Sequence, residues 1–373
     1  MRDKLIRILV VTKYRFIGDT LNAVPTFRAI KERWPESEVT LLSGAPACEL
    51  LQNCPYVDQF IEFDPYRQAD KGFAKYVSLL SRLRRKRFDL AFVLNRSFHS
   101  ALTASLGGAK RRVGWSGFEC RDFMMNDFAV YDRDKLESEC FLDVFRAVGG
   151  QYHDAPKLEL WLTNDELSNG LSLLPQANFL LGVQPGATHG YKQWPLASFV
   201  ITCEQLVKRG RDTKIVLIGG KDEEGIADEF IKESSPQLKS RVTNLVGGSS
   251  LRATLAVVAQ LNAFIGNDTA IRHAAVASDT LSIGLFGPTS CKKWGNERPP
   301  RHMVLSSESG KMDDISVEAV LEILANWEEN MAGAVTGSKL RSEDCQPRYL
   351  AAESRKDRSV SDVPLVLERS LNE

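Results

Sequence analysis

Short apolar runs rich in β-branched residues alternate with longer amphipathic stretches along most of this chain. In the first half, IRILVVT (6–12), EVTLL (38–42), QFIEF (59–63) and FDLAFVL (88–94) predict strands, and segments 19–33, 45–53, 72–86 and 135–148 predict helices. Several of these runs are continuously apolar, as in strands buried on both faces of a mostly parallel sheet covered by helices. A polar, proline-bearing passage at 149–178 interrupts the rhythm. The alternation then restarts, with strands predicted at 179–184, 214–218, 241–246, 262–266 and 281–286 and helices at 195–209, 222–233, 251–259 and 270–278. Two doubly wound α/β halves joined by a linker are the economical architecture. Ligands in such sheets sit beyond the carboxyl ends of the strands, which directs attention to the cleft between the halves. The expected division is a first domain over 1–165, a second over 166–333, and a largely disordered tail over 334–373 with one short helix near 363–371. A last amphipathic helix is predicted at 316–331, with Ser316 as its N-cap.

Composition narrows the classes. At 373 residues the chain suits two domains of ordinary size. Lys plus Arg equals Asp plus Glu at 48 each, so no global field points to nucleic acid. The seven cysteines are scattered without a C-x-x-C pair and the five histidines without H-x-x-x-H, which argues against a disulfide framework and a zinc site. The opening apolar run is too short to span a membrane and lacks a cleavage signal, so the expected location is cytoplasmic. The basic stretch SRLRRKRF (81–88) reads as a solvated helix face, with contact to anionic lipid or a phosphorylated acceptor as the alternative. The D-x-D of YDRDKLE (131–137) precedes a helix and reads as capping rather than metal binding.

Four predicted strand ends carry chemistry. In TKYRFIGDTLNAVP (12–25), Asp19 fits either an N-cap or a general base in the cleft, the base reading needing desolvation to offset the helix N-terminus. In GVQPGATHGYKQWP (182–195), Thr188 and Lys192 supply a hydroxyl and a cation suited to phosphate, although no Walker loop is present. In IGGKDEEGIADEF (218–230), Asp222, Glu223 and Glu224 complement a helix dipole or accept hydroxyls of a ribose or sugar. In FIGNDTAIRHAAVA (264–277), backbone N–H groups of 268–271 form an anion site. There Asp268 suits hydroxyls or capping, Thr269 takes the anion, His273 lies one turn in on the cleft side, and Arg272 reads as a solvated side chain.

Jointly and in order, these blocks resemble the ADP-heptose:lipopolysaccharide heptosyltransferase family, glycosyltransferase family 9. The likeness also takes in FDLAFVLNRSFHSALTASLGGAKRRVGW and closes with GNDTAIRHAAVASDTLSIGLFGPTS. The resemblance implies a GT-B architecture, two Rossmann-like domains facing a cleft, with the last helix crossing back. It implies metal-independent, inverting transfer with no cofactor. Asp19 would take the acceptor proton, Thr188 and Lys192 would meet the diphosphate and sugar, and Glu223 or Glu224 the nucleoside. Asp268, Thr269, Ala270 and His273 occupy the family's D-[ST]-G-x-x-H donor motif, and Arg96 would contact the acceptor. The partners implied are a nucleotide-sugar donor and a glycolipid or glycan acceptor, met in peripheral contact with the inner face of the plasma membrane. The chain departs from the family at Ala270, where Gly is usual, and at Arg272, where a non-basic residue is usual. Those departures keep open a catalytically silent sugar-nucleotide-binding relative, and a sugar-nucleotide epimerase on the same architecture is the other alternative.

Overall fold

The structure, a computed structural model, describes residues 5–118, 120–209, 212–336 and 350–351. Six strands form the first sheet: β1 (Arg7–Val11), β2 (Glu38–Ser43), β3 (Gln59–Glu62), β4 (Leu90–Val93), β5 (Arg111–Trp115) and β6 (Asp127–Ala129). Their spatial order is β3-β2-β1-β4-β5-β6 and every pairing is parallel. The helices of this half are α1 (Ile17–Arg33), α2 (Ala45–Leu50), α3 (Phe73–Lys86), α4 (Phe98–Leu106) and α5 (Glu137–Arg146). After β7 (Trp161–Leu162) and α6 (Asn164–Ser172) comes the second sheet, of β8 (Phe179–Gln184), β9 (Thr213–Leu217), β10 (Val242–Asn244), β11 (Ala263–Asn267), β12 (Leu281–Phe286) and β13 (His302–Ser306). Its order, β10-β9-β8-β11-β12-β13, repeats that of the first sheet, again all parallel. Its helices are α7 (Leu196–Lys208), α8 (Glu224–Glu233), α9 (Pro236–Lys239), α10 (Leu251–Val258), α11 (Ala270–Ala277), α12 (Cys291–Trp294) and α13 (Val317–Thr336).

The central strands are apolar because both faces are covered: Ile8 to Val11 of β1 and all of β8 are buried. In both sheets the strand order reverses next to the first strand, between β1 and β4 and between β8 and β11. Helix α1 packs on α11, and one apolar cluster runs from Phe27 and Phe92 through to Ala274 and Ala277, so the halves share a core. The carboxyl ends of β1, β4, β8 and β11 therefore surround one seam.

The hydrophobic pattern passed over α4, α6, β5, β6 and β13. Helix α6 lies inside the expected linker and carries a full capping box, Thr163 with Glu166. Its Gly170 has no room for a side chain, since a Cβ there would lie 2.7 Å from the Cβ of Ala256 on α10. Helix α13 starts as expected, Ser316 Oγ accepting from the Ala319 N–H. It does not cross back over its described side chains: Val320, Leu324 and Trp327 pack in the core of the second half. Instead a two-residue strand, β14 (Leu350–Ala351), pairs in parallel with β7. The remainder of the expected tail, 337–349 and 352–373, lies outside the described residues, as does the short helix expected near 363–371.

Candidate functional site

On the first half, the chain leaves β1, turns through Lys13 to Phe16 and enters α1. Phe16 is the N-cap and gives no side-chain cap, so Asp19 is the third residue of the helix rather than its cap, correcting that expectation. Its carboxylate instead pairs with the Lys13 ammonium. Burial pushes Asp19 above the usual carboxylate range, Lys13 opposes that shift, Glu137 adds to it and Arg96 opposes it. The desolvation that a base at a helix N-terminus needs is thus built into the folded chain. Arg96, in the turn after β4, lies over the rings of Tyr131 at 4.5 Å and Phe118 at 5.4 Å, and among the described residues it forms no ion pair.

On the second half, buried Asn267 at the end of β11 holds the loop after β8. Its amide donates to the carbonyls of Pro185 and Gly186, both at 3.0 Å, and its oxygen accepts from the Trp194 N–H at 2.9 Å. This fixes Lys192, whose ammonium donates to Asp268 at 3.2 Å. Thr269 is the N-cap of α11, but its hydroxyl donates to Gln184 at 2.6 Å and leaves the first N–H groups of the helix without a side-chain cap. Such a terminus favours an anion. Gln184 in turn donates to both oxygens of Glu223, at 3.1 and 3.0 Å. Glu223 packs over Gly186, where a Cβ would lie 2.1 Å from its carboxylate, so a side chain there would displace Glu223. Burial pushes Glu223 upward, against its bonds from the Gly220 N–H and Gln184. Glu224 turns elsewhere, against Gly247. Thr188 is exposed on the loop, and Ala270 is the first residue of α11, in ordinary helical conformation.

His273 joins the halves. It is buried, its Nδ1 lies 3.5 Å from the side-chain nitrogens of Asn22 on α1 and of Asn296, and its Nε2 lies 3.9 Å from Asp268. Asn296 also donates to the Asn22 oxygen at 3.0 Å. With both amides turned toward Nδ1, the network puts the ring proton on Nε2, facing Asp268. Gly18 packs against this ring, a Cβ there lying 2.9 Å from His273 Cδ2. Burial pushes the imidazole down to about 4; Asp268 opposes that, and Arg272 and Lys192 reinforce it.

Arg272 contradicts the expectation of a solvated side chain. It is fully buried, and among the described residues Nε, Nη1 and Nη2 have no hydrogen-bond partner. The third position of α11 faces β12, and the guanidinium lies against Gly284 and 5.9 Å from the Phe286 ring. Burial pushes it down to about 10, opposed by Asp268 and Glu297. A second buried link crosses the seam: Lys293 of α12 pairs with Glu137 of α5 at 2.9 Å, where Tyr131 also donates at 2.7 Å. Sequence reasoning missed Asn22, Asn296, Lys293 and Glu137, whose roles exist only across the interface.

Among the described residues, no group of three or more His, Cys, Asp or Glu side chains could hold a metal ion. Asp132 of the D-x-D accepts from the Asp134 N–H at 2.8 Å in a turn before α5. Arg82, Arg84, Arg85 and Arg87 of the basic stretch are exposed, and no described helix is long and apolar enough to cross a membrane.

The structure thus brings Asp19, Lys192, Asp268, Thr269, Ala270 and His273 to one seam, with Arg96 beside Asp19 and Glu223 behind Gln184; Thr188 stands at the rim. Comparisons with known proteins identify the family and the fold. The profile of glycosyltransferase family 9 (heptosyltransferase) matches residues 76–324. Lipopolysaccharide heptosyltransferase 2 of Salmonella typhimurium is 28% identical over 296 residues, which is 76% of this chain and 83% of that protein. Its Escherichia coli counterpart is 27% identical over the same shares. Among solved structures, E. coli ADP-heptose lps heptosyltransferase II superposes with a TM-score of 0.74 at 24% identity, covering 88% of this chain and 100% of that one. The family 9 glycosyl transferase from Veillonella parvula gives 0.79 at 17% identity, covering 88% and 99%. Two Rossmann-like sheets meeting at their switch points are a GT-B fold, and this chain is a glycosyltransferase that belongs to family 9.

Proposed function

We propose that the protein transfers a heptose from ADP-heptose to a lipopolysaccharide-core-type acceptor, inverting the anomeric carbon and using no metal. The observation that carries this reading is the opposition of two chemistries across one seam. A desolvated carboxylate, Asp19, stands on the first half, and the Lys192 ammonium with the uncapped start of α11 stands on the second. Asp19 takes the proton of the acceptor hydroxyl, whose oxygen attacks the anomeric carbon as its bond to the diphosphate breaks. The departing diphosphate gains negative charge, which Lys192 and the α11 N–H groups stabilise in place of a metal. Glu223 and Asp268 receive hydroxyls of the donor, Thr188 meets its diphosphate from the rim, and Arg96 meets the acceptor. Ala270 is helical, a conformation that carries a side chain without strain, and Arg272 is packed away against β12.

Support for a glycolipid acceptor met at the membrane's inner face comes from α3, with its exposed arginines and Phe73 84% exposed. A hollow of about 370 Å³ beside it, lined by Phe63, Tyr76 and His99 among others, suits stacking of acceptor sugar rings. The test is ADP release from ADP-heptose with and without a heptose-deficient core glycolipid, with the anomeric configuration of the product read by NMR. Acceptor-dependent release with inversion is the expected result. Isomerised donor without acceptor would instead identify an epimerase, and binding without turnover a silent relative.

A further inference from the structure

Lys13 has no task in the reading so far. It reaches forward six residues to Asp19, and the two side chains are 21% and 13% exposed, so each touches the cleft. Aromatic rings flank the ammonium: Phe16 of its own loop at 5.6 Å and Trp294 of the opposite half at 5.9 Å. Among the described residues, Asp19 is its one carboxylate partner. The other charged groups facing Asp19 are Arg96 from the turn after β4 and Glu137 from α5, with His273 of α11 against neighbouring Gly18. Glu137 is already engaged by Lys293 and Tyr131, and Arg96 is held by ring faces rather than by a carboxylate.

This arrangement sets two demands against each other. A carboxylate tied to an ammonium stays ionised but is a weak base, whereas the same desolvated carboxylate without the ammonium is a strong one. Proton abstraction needs the strong form only while an acceptor hydroxyl is present. An anion entering beside Asp19 meets one guanidinium that has no carboxylate partner among the described residues, and one ammonium that it can attract. We propose that Lys13 is a detachable counterion: a carboxylate or phosphate carried by the acceptor next to its attacking hydroxyl draws the ammonium off Asp19, which becomes an effective base only in the loaded site. Lys13 is then a positioning residue, and the acceptor hydroxyl proton still goes to Asp19. The pair re-forms when product leaves and Asp19 returns that proton to solvent. The inference rests on Asp19 being the base in the proposed reaction.

The test begins without substrate. Protein carrying aspartate 13C-labelled at the side-chain carboxyl, with the Asp19 signal identified by its loss in Asp19→Asn, is titrated as wild type, Lys13→Met and Lys13→Arg. Each is measured alone, with inorganic phosphate and with acetate. The Asp19 midpoint should rise by about one pH unit or more in Lys13→Met and stay near wild type in Lys13→Arg. Phosphate or acetate should raise the wild-type midpoint and leave Lys13→Met unmoved, and the anion that acts names the acceptor group. Equal midpoints in wild type and Lys13→Met, or no response to either anion, overturn the proposal. With substrates, the acid limb of kcat/KM, which reports free enzyme, should shift up in Lys13→Met while that of kcat stays in place. Both limbs moving together would show Lys13 still bound in the loaded complex and overturn its release. Absence of wild-type turnover would sink the proposed reaction, while the titration still decides whether Lys13 is detachable.

Discussion

Each half of the molecule places an aspartate at the turn beyond a central strand and gives it a lysine, yet the two pairs are built differently. Asp19 lies inside α1, and its lysine comes from the same short loop. Asp268 lies just before α11, and its lysine comes from another strand end 76 residues away. The first pair lies within one strand-to-helix turn. The second ties the β8 loop to the β11 loop, with His273 and the buried charge of Arg272 close by. In the proposed reaction that difference sets a carboxylate that takes a proton against one that stays paired beside the donor.

Four measurements would break or sharpen that contrast. Asp19→Asn should lower kcat by ~10²–10⁴-fold with ADP affinity within about twofold of wild type, as loss of a general base on the acceptor side does. Retained turnover would remove the distinction altogether. Lys192→Ala should weaken ADP binding by roughly 10- to 100-fold in calorimetry, the scale of a charge-assisted hydrogen bond, and unchanged affinity would leave the second pair purely structural. Arg272→Met should raise unfolding stability by about 1–4 kcal/mol, because an unpartnered buried charge is exchanged for an apolar chain of similar length. A lower melting temperature would show that the guanidinium is a needed counter-charge for Asp268. The smallest effect concerns pH. His273, held near 4 when folded, binds its proton less readily than in the unfolded chain, where its ordinary value is 6.5. The unfolded state therefore takes up more protons between those values, and stability falls as pH drops from about 6.5 to about 4, by up to about 1.4 kcal/mol per pH unit. His273→Gln should flatten this part of the urea-unfolding stability profile, and an identical slope would argue against a neutral buried ring.

Both halves of the fold were legible because continuous apolar runs between helical segments have few other physical solutions. The strand ends were legible as well, since glycine, aspartate and lysine at such turns form local motifs. Beyond that, sequence reasoning weakened with distance along the chain. Asn22 and Asn296 meet 274 positions apart, and nothing near either one advertises the other. Arg272 was misjudged because arginine is ordinarily solvated, and only the packing of α11 on β12 decides otherwise. Helix α6 was hidden by its polar composition, although its capping box stands in the sequence as Thr163 and Glu166. Asp19 was placed at the right strand end, and the extended backbone at Phe16, which starts the helix two residues earlier, removes the capping alternative.

The amide clasp on His273 makes the imidazole a reporter of how the two halves meet. Asn22 belongs to one half and the ring to the other, so swinging the halves apart withdraws a donor from Nδ1 and admits water. The ring's 15N resonances would register any such parting at the seam itself.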